Sequence, residues 1–388
     1  TDEAYLACVL GQAINKDVVA SVADKLKIIY TPFHGAGYKL VPEALKRLGV
    51  TRLYPVPEQM VLDGNFSTVE SPNPENPEGF YLAVDIAKKE GADFILGSDP
   101  DADRVGIMVR TKDGEFKVIS GNQTGVLLLD YLIGAMKRSG KLPEKPVALK
   151  TIVTTEMARK VAEVNGLQPY DTITGFKFRA EKKDKLENAG EGKVIFAYEE
   201  SYGYMLGDYV RDKDAVTASL MLTEMAAWYA AQGMTLADAL DALYEKYGYY
   251  AEKTFNLVMP GLDGLKDMAK LMKQLREAPP AEISGVKVDV FKDYQDGSVT
   301  DNATGEKTTM ELSGSNVLRF EMADGTSVIV RPSGTEPKIK VYILAQGQDA
   351  ADHSANAVPY TPLPLQTIVR VSTSTGRHQV KETLTDSG

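Results

Sequence analysis

Strands and helices alternate in residues 26–98, and this pattern restricts the fold more than any other feature of the chain. The segments "LKIIYT", "TRLYPV" and "ADFILGS" have the length and apolar composition of buried strands. Between them, "KLVPEALKRLG" and "YLAVDIAKKEG" have the helical spacing of apolar residues, and each ends at glycine. This β-α-β-α-β order predicts a parallel sheet with helices on both faces, which binds ligands at the carboxyl ends of its strands.

Two more units follow along the chain. Helices such as "GNQTGVLLLDYLIGAMKRSG" alternate with strands such as "PVALKT" and "KVIFAY" up to about residue 249. The rest reads as one helix, "GLKDMAKLMKQLRE", and several strands, including a hairpin around "ADGT". We therefore predict two doubly wound α/β domains, at 24–120 and 121–249, and a smaller α+β domain at 250–346. Residues 347–388 show no helical or strand period and are predicted to be a poorly ordered tail.

Composition excludes several classes of protein. The chain has 388 residues, of which 43% are hydrophobic and 25% charged, as in globular proteins. Its net charge of −10 argues against nucleic acid or an anionic membrane as the main partner. A single cysteine, Cys8, excludes an internal disulfide framework and predicts a reducing, cytoplasmic environment. No apolar run approaches the length of a membrane span, and no signal peptide opens the printed sequence.

Three aspartates occupy every second position in "GSDPDADRVGIMV", directly after the third predicted strand. Asp99, Asp101 and Asp103 repel one another unless a cation offsets their charge. Pro100 favours an extended conformation at Asp99, in which alternate side chains point the same way. Three carboxylates on one side suit a hard cation such as Mg²⁺, with positions left for water or a phosphate oxygen. We interpret the segment as a metal loop, with Arg104 beside it for a phosphate or sugar oxygen.

Other interpretations of this loop differ in how well they fit. A calcium EF-hand fails, because its sixth position would be Arg104 in place of glycine and its twelfth Arg110 in place of glutamate. The D-x-D-x-[TV] pattern of aspartyl phosphotransferases matches "DADRV", although residues 98–100 separate its first aspartate from the apolar strand. A solvated acidic turn is the third alternative, and it would leave the repulsion uncompensated.

A second candidate site is "RPSGTEPKIK", between two predicted strands. Its Ser-Gly-Thr turn exposes backbone N–H groups and two hydroxyls, which suit an anion. Arg331 can bind a phosphate through two N–H groups, and Lys338 adds positive charge. The alternative is a polar turn with Arg331 in a surface ion pair.

Three weaker signals complete the set. "FAYEESYGY" places two glutamates and a serine at a strand end, where they suit sugar hydroxyls, although such a loop is commonly solvated surface. Lys177 in "TGFKF" and Lys213 in "RDKDA" are ordinary exposed lysines unless a phosphate and a metal lie nearby. The chain has no GxxxxGK[ST] loop, no GxGxxG after a strand and no GxSxG elbow, so ATP-dependent transfer and dinucleotide redox chemistry have little support.

Eight segments, in the same order, resemble the α-D-phosphohexomutase family in its phosphoglucomutase branch. They cover residues 1–346, and the loop "VLDGNFSTVESPNPENPE" is most similar to the phosphoglucomutase-2 type, which includes phosphopentomutases and glucose 1,6-bisphosphate synthases. The resemblance implies four domains around one cleft, with residues 1–23 as the end of a truncated first domain. The segments are "YTPFHGAG", "SPNPENPE", "SDPDADRVG", "GNQTGVLLLDYL", "TGFKF", "YEESYG", "VRDKDAV" and "RPSGTEPKIKVYI".

The resemblance also implies an activity and a set of residues. Family members interconvert sugar phosphates such as α-D-glucose 1-phosphate and glucose 6-phosphate through a phosphoserine and a glucose 1,6-bisphosphate intermediate, with Mg²⁺ on the serine phosphate. The residues implied here are the metal ligands Asp99, Asp101 and Asp103, the catalytic residues Arg104, Lys177 and Lys213, and the substrate-binding residues Glu199, Ser201, Arg331, Ser333, Gly334 and Thr335.

Two departures from the family pattern affect these expectations. The chain contains no Ser-His-Asn-Pro segment, in which the family's nucleophile lies, so we expect no complete mutase cycle from the chain as given. After Ala345 the family's closing helix is not recognisable, and a frameshifted or foreign terminus is one interpretation. A non-catalytic sugar-phosphate-binding protein and an aspartyl phosphotransferase using Asp101 stay as alternatives. The sequence does not decide between hexose and pentose phosphates, and it does not give the oligomeric state.

Overall fold

The computed structural model describes residues 1–259, 263–334 and 337–347, in two compact units. The first unit is Thr1–Tyr247, and the second begins at Gly248. The predicted tail lies outside the described residues from position 348 onward. Within the described ranges, no helix has both the length and the apolar composition needed to cross a bilayer.

The first unit is a mixed α/β structure, and it includes two short 3₁₀ turns at Pro57–Gln59 and Pro77–Phe80. Its elements, in chain order, are α1 (Asp2–Gly11), α2 (Lys16–Val22), β1 (Ile28–Thr31), α3 (Gly37–Leu48), β2 (Leu53–Pro55), α4 (Tyr81–Glu90), β3 (Phe94–Ser98), β4 (Val105–Arg110), β5 (Phe116–Ile119), α5 (Gly121–Ser139), β6 (Pro146–Thr151), α6 (Glu156–Val164), β7 (Gln168–Thr172), α7 (Phe176–Asn188), β8 (Lys193–Glu199), β9 (Gly203–Met205), α8 (Ala215–Ala231) and α9 (Leu236–Tyr247).

Its first sheet has the strand order β2-β1-β3-β4-β5. β1 is parallel to both β2 and β3, which confirms the predicted β-α-β-α-β unit. β4 and β5 extend this sheet as antiparallel strands. Apolar side chains of α4 and of the sheet form one core, in which Phe33 and Phe80 meet edge to face with ring centroids 4.9 Å apart. The chain leaves this core at the carboxyl end of β3, directly before the three aspartates.

The second sheet has the order β7-β6-β8-β9, with the first three strands parallel and β9 antiparallel. The helices and strands predicted from the sequence are confirmed here. The structure also contains β7 and α7, which were not predicted. Lys177 therefore lies in the first turn of a helix rather than in the loop that "TGFKF" indicated. The helix was hidden because, after residue 178, its sequence is almost entirely polar.

The segment predicted to end a truncated first domain forms α1 and α2, which pack against α3 and α8. Two polar contacts fix it there. The hydroxyl of Tyr5 donates to both carboxylate oxygens of Asp214, at 2.7 and 2.8 Å, and the backbone N–H of Ile14 donates to Glu224. The predicted domain boundaries stay predictions.

The described part of the second unit contains β10 (Tyr249–Val258), α10 (Gly264–Glu277), β11 (Glu282–Ile283), β12 (Val286–Asp293), β13 (Ser298–Asp301), β14 (Lys307–Thr309), β15 (Leu318–Met322), β16 (Ser327–Pro332) and β17 (Lys338–Gly347). These strands form an antiparallel sheet in the order β10-β17-β16-β15-β12-β13-β14, with β11 paired to β12, and α10 packs against it. The predicted hairpin is confirmed, and Ile339, Val341 and Ile343 of β17 are buried in the core of this unit.

Candidate functional site

The aspartate loop joins β3 to β4 and is held from two sides. On one side, the backbone N–H of Ala36 donates to the carbonyl of Pro100 at 2.7 Å. On the other, the N–H of Ala215, at the start of α8, donates to the carbonyl of Ala102 at 3.0 Å. Glycine is needed at position 35, because a Cβ there would lie 2.2 Å from Cα of Pro100. The loop is therefore a fixed part of the unit.

The three carboxylates converge as the spacing predicts, but by a different route. Residues 100–103 form a turn with Ala102 at φ +56°, so the chain is not extended through the loop. One oxygen from each of Asp99, Asp101 and Asp103 lies within 4.8 Å of the other two. Asp99 Oδ1 accepts from the backbone N–H groups of Asp103 and Arg104, at 3.1 and 2.9 Å. The tight turn brings the carboxylates together.

Burial dominates the electrostatics of Asp99. The pKa of this carboxyl is raised to about 7, because desolvation and the neighbouring charges of Asp103 and Asp101 together outweigh the backbone hydrogen bond from Arg104, which lowers it. A positive charge close to Asp99 would stabilise the ionised form of this carboxyl. Two side chains each bring such a charge.

Arg104 and Lys213 bring these positive charges to the loop. Arg104 Nε lies 3.5 Å from both Asp99 Oδ2 and Asp103 Oδ1, close enough for charge attraction but not aligned for a hydrogen bond. Lys213 Nζ lies 2.7 Å from Asp103 Oδ2. Burial alone would lower the pKa of Lys213, but its hydrogen bond and attraction to Asp103 outweigh this and raise the pKa. Lys213 is therefore held in its protonated form.

The donor set fits a hard divalent cation. Carboxylate oxygens are the ligands that Mg²⁺ prefers, and the cluster offers three of them from one turn. Asp103 Oδ1 is buried and has no hydrogen-bond partner among the described residues, which is costly unless something else binds it. This unpaired oxygen is the feature that best matches a metal ligand.

The glutamates of "YEESYG" lie at the turn between β8 and β9. Glu199 Oε2 accepts from Nη2 of Arg179 at 2.5 Å, and its carboxylate is also bonded to the Ser201 side chain. Glu200 turns the other way, and its Oε2 accepts from the hydroxyls of Thr151 and Thr154, at 3.2 and 3.3 Å. Only the first glutamate therefore belongs with Ser201.

This hairpin is joined directly to the aspartate loop. The backbone N–H of Val105 donates to the carbonyl of Tyr202 at 3.1 Å, and Arg104 and Gly203 form a β-bridge. A Cβ on Gly203 would lie 2.1 Å from Cδ of Lys213 and 3.0 Å from Oε1 of Glu199. Glu199 and Lys213 thus lie against the same Cα, and the hairpin that carries Glu199 adjoins the aspartate loop.

Of the other implied residues in the first unit, Lys177 is exposed, with Nζ 4.9 Å above the ring of Phe178. In the first unit, every residue of which is described, the ion pairs to the aspartates come from Arg104 and Lys213. The structure does not bring Lys177 to them.

The second candidate site lies in the second unit, at the turn from β16 to β17. Arg331 is half-buried opposite Lys340, the backbone N–H of Ser333 donates to the carbonyl of Lys338 at 2.8 Å, and Gly334 is exposed. Thr335 lies outside the described residues.

Sequence reasoning missed Arg179, whose buried charge meets Glu199. If α7 had been predicted, helical spacing would have placed Arg179 one turn after the apolar Phe176. Because α7 was not predicted, this signal was missed. Phe176 lies close to Arg179 and to Lys213, with the guanidinium carbon of Arg179 4.2 Å and Nζ of Lys213 5.5 Å from the ring centroid.

Comparison with known proteins gives three consecutive matches to the phosphoglucomutase/phosphomannomutase family. Residues 3–114 match its alpha/beta/alpha domain II, residues 120–247 its alpha/beta/alpha domain III, and residues 258–358 its C-terminal domain. Phosphoglucomutase of Staphylococcus aureus strain N315 is 36% identical over 327 residues, and the match covers 84% of this chain. The chain spans 58% of the length of that relative.

Solved structures of the same fold agree with this match. A putative phosphomannomutase from Thermus thermophilus has a TM-score of 0.63 at 20% identity, with coverage of 95% of this chain and 66% of that one. The open form of Paramecium pp63/parafusin has a TM-score of 0.64 at 17% identity, with coverage of 98% and 64%. Aspergillus fumigatus N-acetylphosphoglucosamine mutase, in complex with GlcNAc-6P and magnesium, has a TM-score of 0.54 at 12% identity, with coverage of 97% and 70%. The chain belongs to the α-D-phosphohexomutase family, and its matched segments are domain II, domain III and the C-terminal domain.

Proposed function

We propose that this chain supplies the metal-binding and sugar-phosphate-binding domains of a phosphoglucomutase, which interconverts α-D-glucose 1-phosphate and glucose 6-phosphate. The cycle passes through a phosphoserine and glucose 1,6-bisphosphate. The observation that carries the proposal is the meeting of three carboxylates and two cations beside Glu199. The 36% identity to staphylococcal phosphoglucomutase supports the same activity.

The aspartate loop would hold Mg²⁺ through Asp99, Asp101 and Asp103, as its oxygen-only donor set suggests. When bound, the ion would neutralise negative charge on the phosphate being transferred. Arg104 and Lys213 would bind the same phosphate and stabilise charge as it moves between oxygens. Because Asp103 raises the pKa of Lys213, this lysine would be protonated and therefore available as a phosphate ligand or as a general acid.

The rest of the bisphosphate would be held by the other implied residues. Glu199 and Ser201 would contact sugar hydroxyls, and Lys177 stays a candidate phosphate ligand or proton carrier. The turn that contains Arg331, Ser333, Gly334 and Thr335 would bind the phosphate that is not reacting. The Aspergillus relative is in complex with GlcNAc-6P and magnesium, which are the two kinds of ligand proposed here.

A non-catalytic sugar-phosphate-binding protein is the second candidate. The sequence contains no Ser-His-Asn-Pro segment, so we propose no serine of this chain as the phosphate donor. Under either candidate, we expect the 388-residue chain to bind glucose 1,6-bisphosphate without turning it over. Steady turnover by the chain alone would remove the second candidate and would show that a donor is present.

Calorimetric titration tests the proposal. With Mg²⁺, we expect binding of glucose 1,6-bisphosphate, and Asp101→Asn should weaken it at least about tenfold because the variant removes a ligand charge. Asp113→Asn is the matched control, since Asp113 lies in the exposed turn between β4 and β5. Ribose 1,5-bisphosphate in the same cell separates the two sugar classes: tighter binding of the pentose compound would make the chain part of a phosphopentomutase. If the chain binds no sugar phosphate at all, the proposal is wrong.

A further inference from the structure

Arg179 is the largest side chain in the unit that is fully buried, with 0% of its surface exposed. Burial of a guanidinium is strongly unfavourable unless hydrogen bonds and a countercharge offset the loss of water. A fully buried arginine therefore indicates a role for its charge that an apolar side chain could not fill. The groups that contact the guanidinium of Arg179 show what this role involves.

The shortest polar contact of this guanidinium is with Glu199, from Nη2 to Oε2 at 2.5 Å. Nη1 lies 3.5 Å from the hydroxyl of Thr172, at the limit of a hydrogen bond, and Nε has no hydrogen-bond partner among the described residues. The ring of Phe176 covers one face of the guanidinium, 4.2 Å from its centre. Nε and Nη1 of Arg179 therefore lack a close hydrogen-bond acceptor among the described residues, and the short ion pair is made with one carboxylate, that of Glu199.

The two carboxylate oxygens of Glu199 have different surroundings. Oε2 is taken by Arg179, whereas Oε1 faces the Cα of Gly203, beside the aliphatic part of Lys213. Burial raises the pKa of Glu199, the positive charge of Arg179 lowers it, and the charge of Glu200 raises it. Without Arg179, a mostly buried carboxylate would remain next to that of Glu200, with Lys213 as its remaining positive neighbour, and protonation of Glu199 would be favoured.

We infer that Arg179 is a positioning residue for sugar recognition: it keeps Glu199 ionised and fixes its Oε2, so that this carboxylate, which also bonds to Ser201, is held in place to accept a substrate hydroxyl. This inference rests on the proposed function, because it takes Glu199 as a sugar contact. Arg179 itself touches no substrate. It also continues a row of alternating charges, Arg179, Glu199, Lys213 and Asp103, that leads from the sugar loop to the metal loop.

Arg179→Met tests the inference, since it keeps the apolar volume and removes the charge. In Mg²⁺, we expect it to weaken glucose 1,6-bisphosphate binding about tenfold, as does Glu199→Gln. In the double variant, the two losses should not add, because Arg179 acts through Glu199. Arg159→Met is the matched control: Arg159, in the same unit, pairs with Asp171 at 2.7 Å rather than with Glu199, and we expect affinity within about twofold of the original. Equal losses from Arg179→Met in the presence and absence of Glu199 would overturn the inference.

A second measurement needs no ligand and keeps the inference separate from the proposed function. The ¹³C carboxyl resonance of Glu199, identified by its loss in Glu199→Gln, should titrate at higher pH in Arg179→Met than in the original chain. Arg179→Lys, which keeps a positive charge, should restore most of the original titration. If the Met variant does not fold, Arg179→Gln, which also removes the charge, takes its place. An unchanged titration of Glu199 contradicts the inference. A shifted titration in a chain that binds no sugar phosphate contradicts the proposed function alone.

Discussion

At the scale of single residues, Gly203 is the position where the two halves of the site meet. Its Cα lies against Lys213 and Glu199, and its backbone pairs with Arg104. No larger residue fits there without a change in the site, because any Cβ would occupy the space of the Lys213 side chain. Gly203 therefore sets how closely the turn between β8 and β9 approaches the aspartate loop.

Gly203→Ala should damage binding more than folding. The added methyl group meets flexible side-chain atoms rather than backbone, so we expect a loss of about 1 kcal/mol in the free energy of unfolding. Lys213 must move away from Asp103, so bisphosphate affinity should fall at least about tenfold. Gly11→Ala, where a Cβ meets nothing within 4 Å, is the control in both urea unfolding and calorimetry. Unchanged affinity in Gly203→Ala would show that this packing does not position Lys213.

How much of the site the sequence predicts depends on the range of the interaction. The convergence of Asp99, Asp101 and Asp103 follows from residues within one turn, so the spacing is enough to predict it. Contact between Lys213 and Asp103 joins positions 110 residues apart, and only the family resemblance indicated it. The pair of Arg179 and Glu199 was missed, because an arginine in a polar stretch gives no sign that its guanidinium is buried.

At the scale of elements, the loop between β9 and α8 carries Lys213 and is tied down at several points. Lys183 of α7 binds Asp208 at 2.6 Å, and Arg211 binds Asp184 at the same distance. At its end, Asp214 caps α8 by accepting from two backbone N–H groups. Tyr5 of α1 bonds to the same carboxylate, so the first helix of the chain supports the loop that presents Lys213.

Tyr5→Phe isolates this support. The variant removes one hydroxyl from a charged acceptor and leaves the ring, so we expect the free energy of unfolding to fall by about 1.5 kcal/mol. Tyr81→Phe, at an exposed position, is the control and should change it by less than about 0.5 kcal/mol. Urea unfolding followed by circular dichroism measures both. Equal stability of the two variants would mean that Tyr5 does not hold the loop.

Glu224 of α8 gives the unit a predictable pH dependence. It is fully buried, accepts from Tyr131 and from the backbone N–H of Ile14, and burial raises its pKa above 4.5 even though these bonds lower it. The folded state therefore holds this proton more tightly than the unfolded state does. Its contribution to stability is present below pH 4.5 and is lost as the pH rises through the raised pKa.

Glu224→Gln should remove that contribution to the pH dependence. We expect the stability difference between the variant and the original chain to move in favour of the variant as the pH rises from about 4.5 to about 7. Urea unfolding at a series of pH values measures the difference. A difference that stays constant across this range would show that Glu224 titrates normally in the folded chain.

Element prediction succeeds where apolar residues carry a clear period and fails where they do not. Regular apolar patterns occur in the sequences of α3, α4, α5 and β6, and these elements lie where the sequence predicts them. α7 ends in "AEKKDKLEN" and buries few side chains, while β7 begins with a glutamine and a proline, so neither shows the expected pattern. These two elements are held by the sheet around them rather than by their own composition.

At the scale of the whole molecule, an acidic chain is expected to bind anionic sugar phosphates through local groups of cations. The net charge is −10, yet Arg104 and Lys213 are gathered at one loop of the first unit, and Arg331 and Lys340 face each other in the second. In the first unit, the clustered carboxylates of Asp99, Asp101 and Asp103 repel one another, and a bound cation would offset this repulsion. Under the proposed function, a bound metal would therefore link the acidic loop to an anionic ligand.

Mn²⁺ binding is the most direct test of that link, because Mn²⁺ takes the same oxygen ligands as Mg²⁺ and its free form is measured by electron paramagnetic resonance. We predict one Mn²⁺ site per chain, tightened at least about tenfold by glucose 1,6-bisphosphate, since two ligands that share a phosphate must strengthen each other's binding equally. Asp101→Asn should abolish both the site and the coupling, whereas Asp113→Asn should keep both. Mn²⁺ bound equally well by Asp101→Asn and by the original chain, with no effect of the bisphosphate, would contradict the account.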